Sequence, residues 1–139
     1  MKEKRTSELK STVTDLNSLS DEDLFLYIND VIVSEELFRD PLFGRQAIID
    51  RFQLSKERVG SVFSKGSEHT KMTGYIQQLR LEYAAKLLIE QPHKSIVQIA
   101  AESGFSSNTY FSERFRQYFD MRPTEFRKAS SGREKDFSD

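Results

Sequence analysis

Residues 95–128, SIVQIAAESGFSSNTYFSERFRQYFDMRPTEFRK, limit what this chain can fold into more than any other stretch. Ser95 precedes an apolar-periodic run and Gln98 follows three residues later, the pattern of a capping box at a helix start. Ile96, Ile99 and Ala100 mark one face of a short helix. Gly104 can take the positive φ that a tight interhelical turn demands, and the small Ala100 lets two helices approach closely. Ser106, Ser107 and Asn108 are cap candidates for a second helix, along which Phe111, Phe115 and Phe119 recur every fourth residue. A short helix, a glycine turn and a longer helix make a helix-turn-helix, with an ordinary buried αα-hairpin as the alternative.

The pattern recurs upstream in weaker form. Ile48-Ile49, Gln53-Leu54-Ser55 and Phe63 echo Ile99-Ala100, Gly104-Phe105-Ser106 and Phe115, with one extra residue in the second copy. The spacing predicts a helix over about 45–52, a turn at Gln53-Leu54, and a helix capped by Ser55 that turns Val59, Val62 and Phe63 inward. Gln53 replaces glycine where positive φ costs more, and Gly60 in mid-helix costs about 1 kcal/mol relative to alanine. Lys65-Gly66 carries a glycine signal for the helix end. Between the copies, residues 74–90 hold Ile76, Leu79, Tyr83, Leu87 and Leu88 in helical register, with Pro92 just beyond. Such a helix is roughly 25 Å of rod. With half of each flanking motif it could set the two motifs about 34 Å apart, although a purely structural core helix would look the same in sequence.

The flanks are simpler. Ser20 followed by Asp21, Glu22 and Asp23 opens a helix over roughly 21–37, with Leu24, Tyr27, Ile28 and Val31 at helical spacing. Residues 1–19 read as a polar linker or frayed helix, in which Leu9, Val13, Leu16 and Leu19 form a weak stripe. Pro123 suits the first position of a short last helix containing Phe126, and residues 129–139 read as a mobile tail. The expected architecture is all-α. About seven helices form two helix-turn-helix motifs joined by a long central helix, within a domain spanning 20–128.

Ile96, Ile99-Ala100, Gly104-Phe105, Tyr110-Phe111, Phe115-Arg116 and Pro123-x-x-Phe126-Arg127 stand in one ordered array. That array resembles the C-terminal DNA-binding signature of the AraC/XylS family of bacterial transcription regulators, and with the upstream half the likeness covers roughly residues 43–128. Two positions depart from the family pattern: Asp120 stands where glycine is frequent, and Arg122 where threonine usually caps the helix before Pro123. Both concern local stability. The resemblance implies tandem helix-turn-helix motifs on a rigid connecting helix and double-stranded DNA as partner. It leaves room for RNA polymerase and for an upstream sensor domain, which this chain is expected to lack.

Net charge is −1, unlike the basic footprint usual for nucleic-acid binding. The balance is uneven, however. Residues 1–43 hold 5 Lys/Arg against 10 Asp/Glu, whereas residues 44–128 hold 14 against 9. The motif-bearing part is therefore moderately basic and the leading part acidic. There are no cysteines, which excludes disulfides, thiolate zinc sites and cysteine nucleophiles. No apolar run approaches membrane-span length and no signal-peptide pattern opens the chain, so a cytoplasmic protein is expected. His69 and His93 fall in predicted connections without metal-ligand spacing, and no phosphate-binding loop or nucleophile elbow occurs. No enzyme, metal or cofactor is therefore expected.

In a helix-turn-helix, the N-terminal part of the second helix meets base edges while nearby basic residues grip phosphates. For the second motif this assigns Ser106, Ser107, Asn108, Thr109 and Ser112 to the groove and Arg114 and Arg116 to phosphates. Glu113 falls where the resemblance leads one to expect a basic residue, so it either reads a cytosine amino group or makes no contact. For the first motif the candidates are Lys56, Arg58, Ser61 and Lys65. Two other classes stand beside this one: a helical protein-interaction module without DNA affinity that docks through its acidic first helix, and a small-molecule sensor.

Overall fold

Serines begin four of the helices. The hydroxyls of Ser20, Ser55, Ser95 and Ser107 accept the backbone N–H three residues on, at 3.1, 3.0, 3.0 and 3.1 Å, each satisfying a donor that the first turn leaves unpaired. The computed structural model describes residues 15–65 and 71–138, with side chains through residue 131 in the last helix. The helices are α1 (Asp21–Ser34), α2 (Arg45–Phe52), α3 (Lys56–Lys65), α4 (Met72–Glu90), α5 (Ile96–Glu102), α6 (Asn108–Phe119) and α7 (Pro123–Ser138). Single 3-10 turns occur at Leu16–Ser18 and Leu37–Arg39, and no strand occurs among the described residues. Leu9 and Val13, Gly66 and His69 lie outside the described residues.

The chain divides into two compact units. The first holds α1, α2, α3 and the start of α4, around Leu24, Ile28, Ile32, Ile48, Val59 and Val62, all with no exposure. Phe25, Phe63 and Tyr75 meet edge to face at centroid distances of 5.3–5.5 Å. The Tyr75 hydroxyl donates to Asn29 Oδ1, so a buried phenol keeps a partner, and burial pushes its pKa well above the ordinary 10.

The second unit holds Arg39–Pro41, the rest of α4, and α5, α6 and α7. Its core joins Leu81, Ala84, Leu88, Ile99 and Ala100 to a run of phenylalanines. Phe105, Phe111, Phe115, Phe119 and Phe126 touch in sequence, with centroids 4.5–5.6 Å apart. Two arginines finish helix ends here. Arg127 donates from Nε to the Leu88 carbonyl and from Nη2 to that of Gln91, both at 3.1 Å, at the C-terminus of α4. Arg39 donates to the Glu102 carbonyl at 2.7 Å, at the end of α5, with its guanidinium over the Tyr83 ring.

Three expectations need adjustment. The first helix ends at Ser34, because Glu36 takes a positive φ of 55° that no α-helix continues through. The last helix is not short: its backbone runs sixteen residues to Ser138 over the stretch expected as a tail, since helical hydrogen bonding needs no apolar stripe. The central helix is not a single-stripe helix either. Met72, Tyr75 and Ile76 enter the first core, while Leu81, Ala84, Ala85, Leu87 and Leu88 enter the second, so Leu79 and Tyr83 are only partly buried. The buried positions of its two segments do not continue a single helical stripe.

Candidate nucleic-acid interface

Both motifs turn in the same way. In the second, Gly104 has φ 106°; its N–H bonds the Ala101 carbonyl at 3.2 Å and the Phe105 N–H bonds that of Ala100 at 3.0 Å, a Schellman closure. In the first, Gln53 takes φ 55° and the Leu54 N–H bonds the Ile49 carbonyl at 3.2 Å. Gln53 also donates from Nε2 to the Asp50 carbonyl at 2.8 Å, which satisfies a helix-end acceptor that a glycine would leave to water. Leu54 is followed directly by the cap Ser55, whereas Phe105 and the cap Ser107 are separated by Ser106. Ser106 is thus the extra residue of the second copy.

Counting from the caps puts α3 and α6 in one register, with Val59 and Phe63 opposite Phe111 and Phe115. Phe111 and Phe115 are fully buried and fix the inner face of α6. Thr109, Ser112, Glu113 and Arg116 then follow at i, i+3, i+4 and i+7 along a stripe beside it, with Asn108 in the first turn. Thr109, Glu113 and Arg116 are exposed and Ser112 partly so, and none of the four, nor Asn108 or Ser106, uses its side chain on another described residue. Ser107 is occupied as the cap, and Arg114 donates to Gln117 at 2.7 Å while its buried Nε makes no hydrogen bond. The structure therefore gathers five of the seven candidates of this motif as unengaged groups, and adds Glu113.

The first motif differs. The counterparts of Thr109, Ser112, Glu113 and Arg116 are Glu57, Gly60, Ser61 and Ser64. Lys56 matches Asn108 and is exposed, but Arg58 and Lys65 match Tyr110 and Gln117, beside the stripe. Arg58, Ser61 and Lys65 instead converge on Asp21, the first residue of α1. Arg58 Nε lies 2.9 Å from Oδ1, Ser61 Oγ donates to Oδ2 at 2.6 Å, and Lys65 Nζ is 3.5 Å from Oδ2. Arg58 also donates from Nη1 and Nη2 to the carbonyls of Asn17 and Leu19. The Ser61 hydrogen bond, opposed by burial and joined by Arg58 and Lys65, holds the Asp21 carboxyl below its ordinary value of 3.8.

Two things escaped the reading of the sequence. Counting from the serine caps would have exposed Glu57 as the counterpart of Thr109. Nothing in the sequence signals that Asp21, 37 residues before Arg58, would meet it. Among the described residues no group of three or more His, Cys, Asp or Glu is placed to hold a metal ion, and no helix is long and apolar enough to cross a membrane.

Comparison with known proteins places this geometry. A helix-turn-helix domain family matches residues 48–129, more than half of the chain. The transcriptional regulatory protein YesN of Bacillus subtilis is 31% identical over 102 residues, which are 73% of this chain and 27% of that protein. The chain thus spans under a third of the length of the curated relatives it matches. The crystal structure of the C-terminal domain of the two-component response regulator YesN from Fusobacterium nucleatum superposes with a TM-score of 0.63 at 27% identity, covering 72% of this chain and 93% of that one. A DNA-binding transcriptional dual regulator from Escherichia coli K-12 shares the fold, with a TM-score of 0.67 at 20% identity over 87% of this chain and 96% of that one. Two capped helix pairs closed by the same turn, with the array from Ile96 to Arg127 lying inside the matched span, place the chain in the AraC/XylS-type helix-turn-helix family.

Proposed function

We propose that this chain reads double-stranded DNA as the binding domain of a bacterial transcription regulator, with α3 and α6 entering successive segments of the major groove. The observation that carries this is the stripe on α6. Its polar groups are unengaged by other described residues, and it belongs to a helix whose neighbouring face is locked by buried Phe111 and Phe115. Rigid presentation matters because ordering a mobile helix on binding subtracts from affinity. Asn108 suits bidentate contact with adenine, Thr109 and Ser112 suit either base type, and Glu113 suits the amino group of cytosine. Arg116 serves a phosphate. On α3, exposed Lys56 suits a phosphate, and Ser61 is the counterpart of Glu113. The nineteen residues of α4, roughly 28 Å of helix, suit a spacer between two readers. The same reading takes an upstream sensor domain and RNA polymerase as further partners, and a cytoplasmic location.

The test is selection from a random duplex pool, followed by titration of the selected and scrambled duplexes at about 50 and about 200 mM salt. A defined consensus, with affinity falling steeply between the two conditions, is expected. Equal affinity for selected and scrambled duplex would remove the sequence-specific reading.

A further inference from the structure

Asp21 does more than begin a helix. Its carboxylate takes three donors from α3, and both it and its main partner are largely withdrawn from solvent, with side-chain exposures of 15% for Asp21 and 21% for Arg58. Arg58 has its Nε, Nη1 and Nη2 each engaged once, by Asp21 and by two carbonyls of the segment just before α1. Two N–H donors remain, so a two-pronged grip on a phosphate competes with the contacts to Asp21 and the two carbonyls. Lys65 is more exposed, at 65%, but its attraction to the same carboxylate competes with any phosphate. In the second motif the corresponding positions are Tyr110 and Gln117, which carry no charge. The second motif therefore has no charge at these two positions, whereas the first sets one carboxylate against two cations and so reduces the cationic charge there without cancelling it.

We propose that Asp21 is a specificity-determining residue that positions α3 and withholds Arg58 and Lys65 from the DNA backbone, limiting sequence-independent binding by the first motif. This rests on the DNA-binding reading above. A purely structural ion pair would support folding and leave the salt dependence of DNA binding unchanged. A withholding residue would alter the number of phosphates neutralised when its charge is removed, because each added cation–phosphate contact steepens the dependence of log affinity on log salt by about 0.9.

The experiment compares wild type, Asp21→Asn, Arg58→Gln and the double variant on one scrambled duplex across a salt series, with thermal melting alongside. Asp21→Asn is expected to bind the scrambled duplex about three- to tenfold more tightly at about 50 mM salt, with a slope steeper by about one unit. Arg58→Gln alone should melt lower and leave the slope unchanged, and combining it with Asp21→Asn should cancel most of the gain. An unchanged slope in a folded Asp21→Asn protein overturns the proposal while the functional reading stands. Should Asp21→Asn fail to fold, Arg58→Gln decides: a slope flattened by about one unit means that Arg58 already meets a phosphate, and the proposal falls. If wild type binds no duplex, the functional reading fails. Binding gained by Asp21→Asn would then still support the withholding role, and its absence would overturn that as well.

Discussion

Among the described residues, three hold the left-handed conformation without being glycine: Glu36, Gln53 and Asp120, with φ of 55°, 55° and 62°. Asp120 stands where the family pattern has glycine, and it ends α6 with its N–H on the Arg116 carbonyl at 2.8 Å. The departure is thus a change of residue with the backbone conformation kept. Gly104 shows the converse, a glycine at φ 106° inside a closed turn. Gly104→Val should cost about 1–3 kcal/mol, read as a lower melting temperature, because a β-branched residue is strained at positive φ. A variant that melts like wild type would contradict the turn. At Arg122 the missing cap oxygen is half repaired: Glu125 reaches back to accept the Arg122 N–H at 2.9 Å, as in a capping box without its hydroxyl. Arg122→Thr should supply the other half and stabilise by about 1 kcal/mol, measurable by denaturant titration.

Helices α3 and α6 are built on one plan and presented differently. The outer stripe of α6 is unengaged by other described residues, while part of that of α3 is tied to α1 through Ser61. Asn108→Ala should therefore cost about 1–3 kcal/mol on the selected duplex and relax preference at one or two base pairs. Arg116→Ala should weaken selected and scrambled duplexes alike and flatten the salt slope by about one unit. Ser61→Ala should matter less for binding than Asn108→Ala, and its larger effect should fall on stability, since it removes a donor from a partly buried carboxylate. The pH dependence follows from the same contact. A carboxyl whose folded pKa is depressed stabilises the fold fully above its ordinary value of 3.8, and that contribution is lost as pH falls through the depressed folded value. Acid titration of melting temperature should accordingly show a smaller acid loss in Asp21→Asn than in wild type, and parallel curves would count against the depressed pKa.

Acidic residues concentrate before residue 44 and basic ones after it, yet part of that separation is cancelled inside the first unit by pairing of Asp21 with Arg58 and Lys65. A reading dominated by the second motif follows. Scrambling the half-site under α6 should reduce affinity more than scrambling the half under α3, measured by competition with the selected duplex. The opposite order would make the first motif the principal reader.

Much of this was written in local chemistry. Serine caps, the every-fourth-residue phenylalanines, Gly104 and Pro123 act through neighbours within one or two turns, so the helices, the two turns and the tandem arrangement could be read directly. The match between Gln53 and Gly104 was equally legible, since a turn of that shape needs a positive φ whichever residue supplies it. Other features depended on packing. Leu81, Ala84 and Ala85 were missed as core residues because α4 changes its buried side where one core gives way to the next, which no single helical stripe describes. Arg127 and Arg39 were not foreseen as helix-end donors, since their carbonyl partners lie 39 and 63 residues away. The meeting of Arg58 with Asp21 was hidden for the same reason, the two lying 37 residues apart. Charge and helical position are properties of the residue, but whether a guanidinium faces only solvent or also a partly buried carboxylate is decided when α1 packs beside α3.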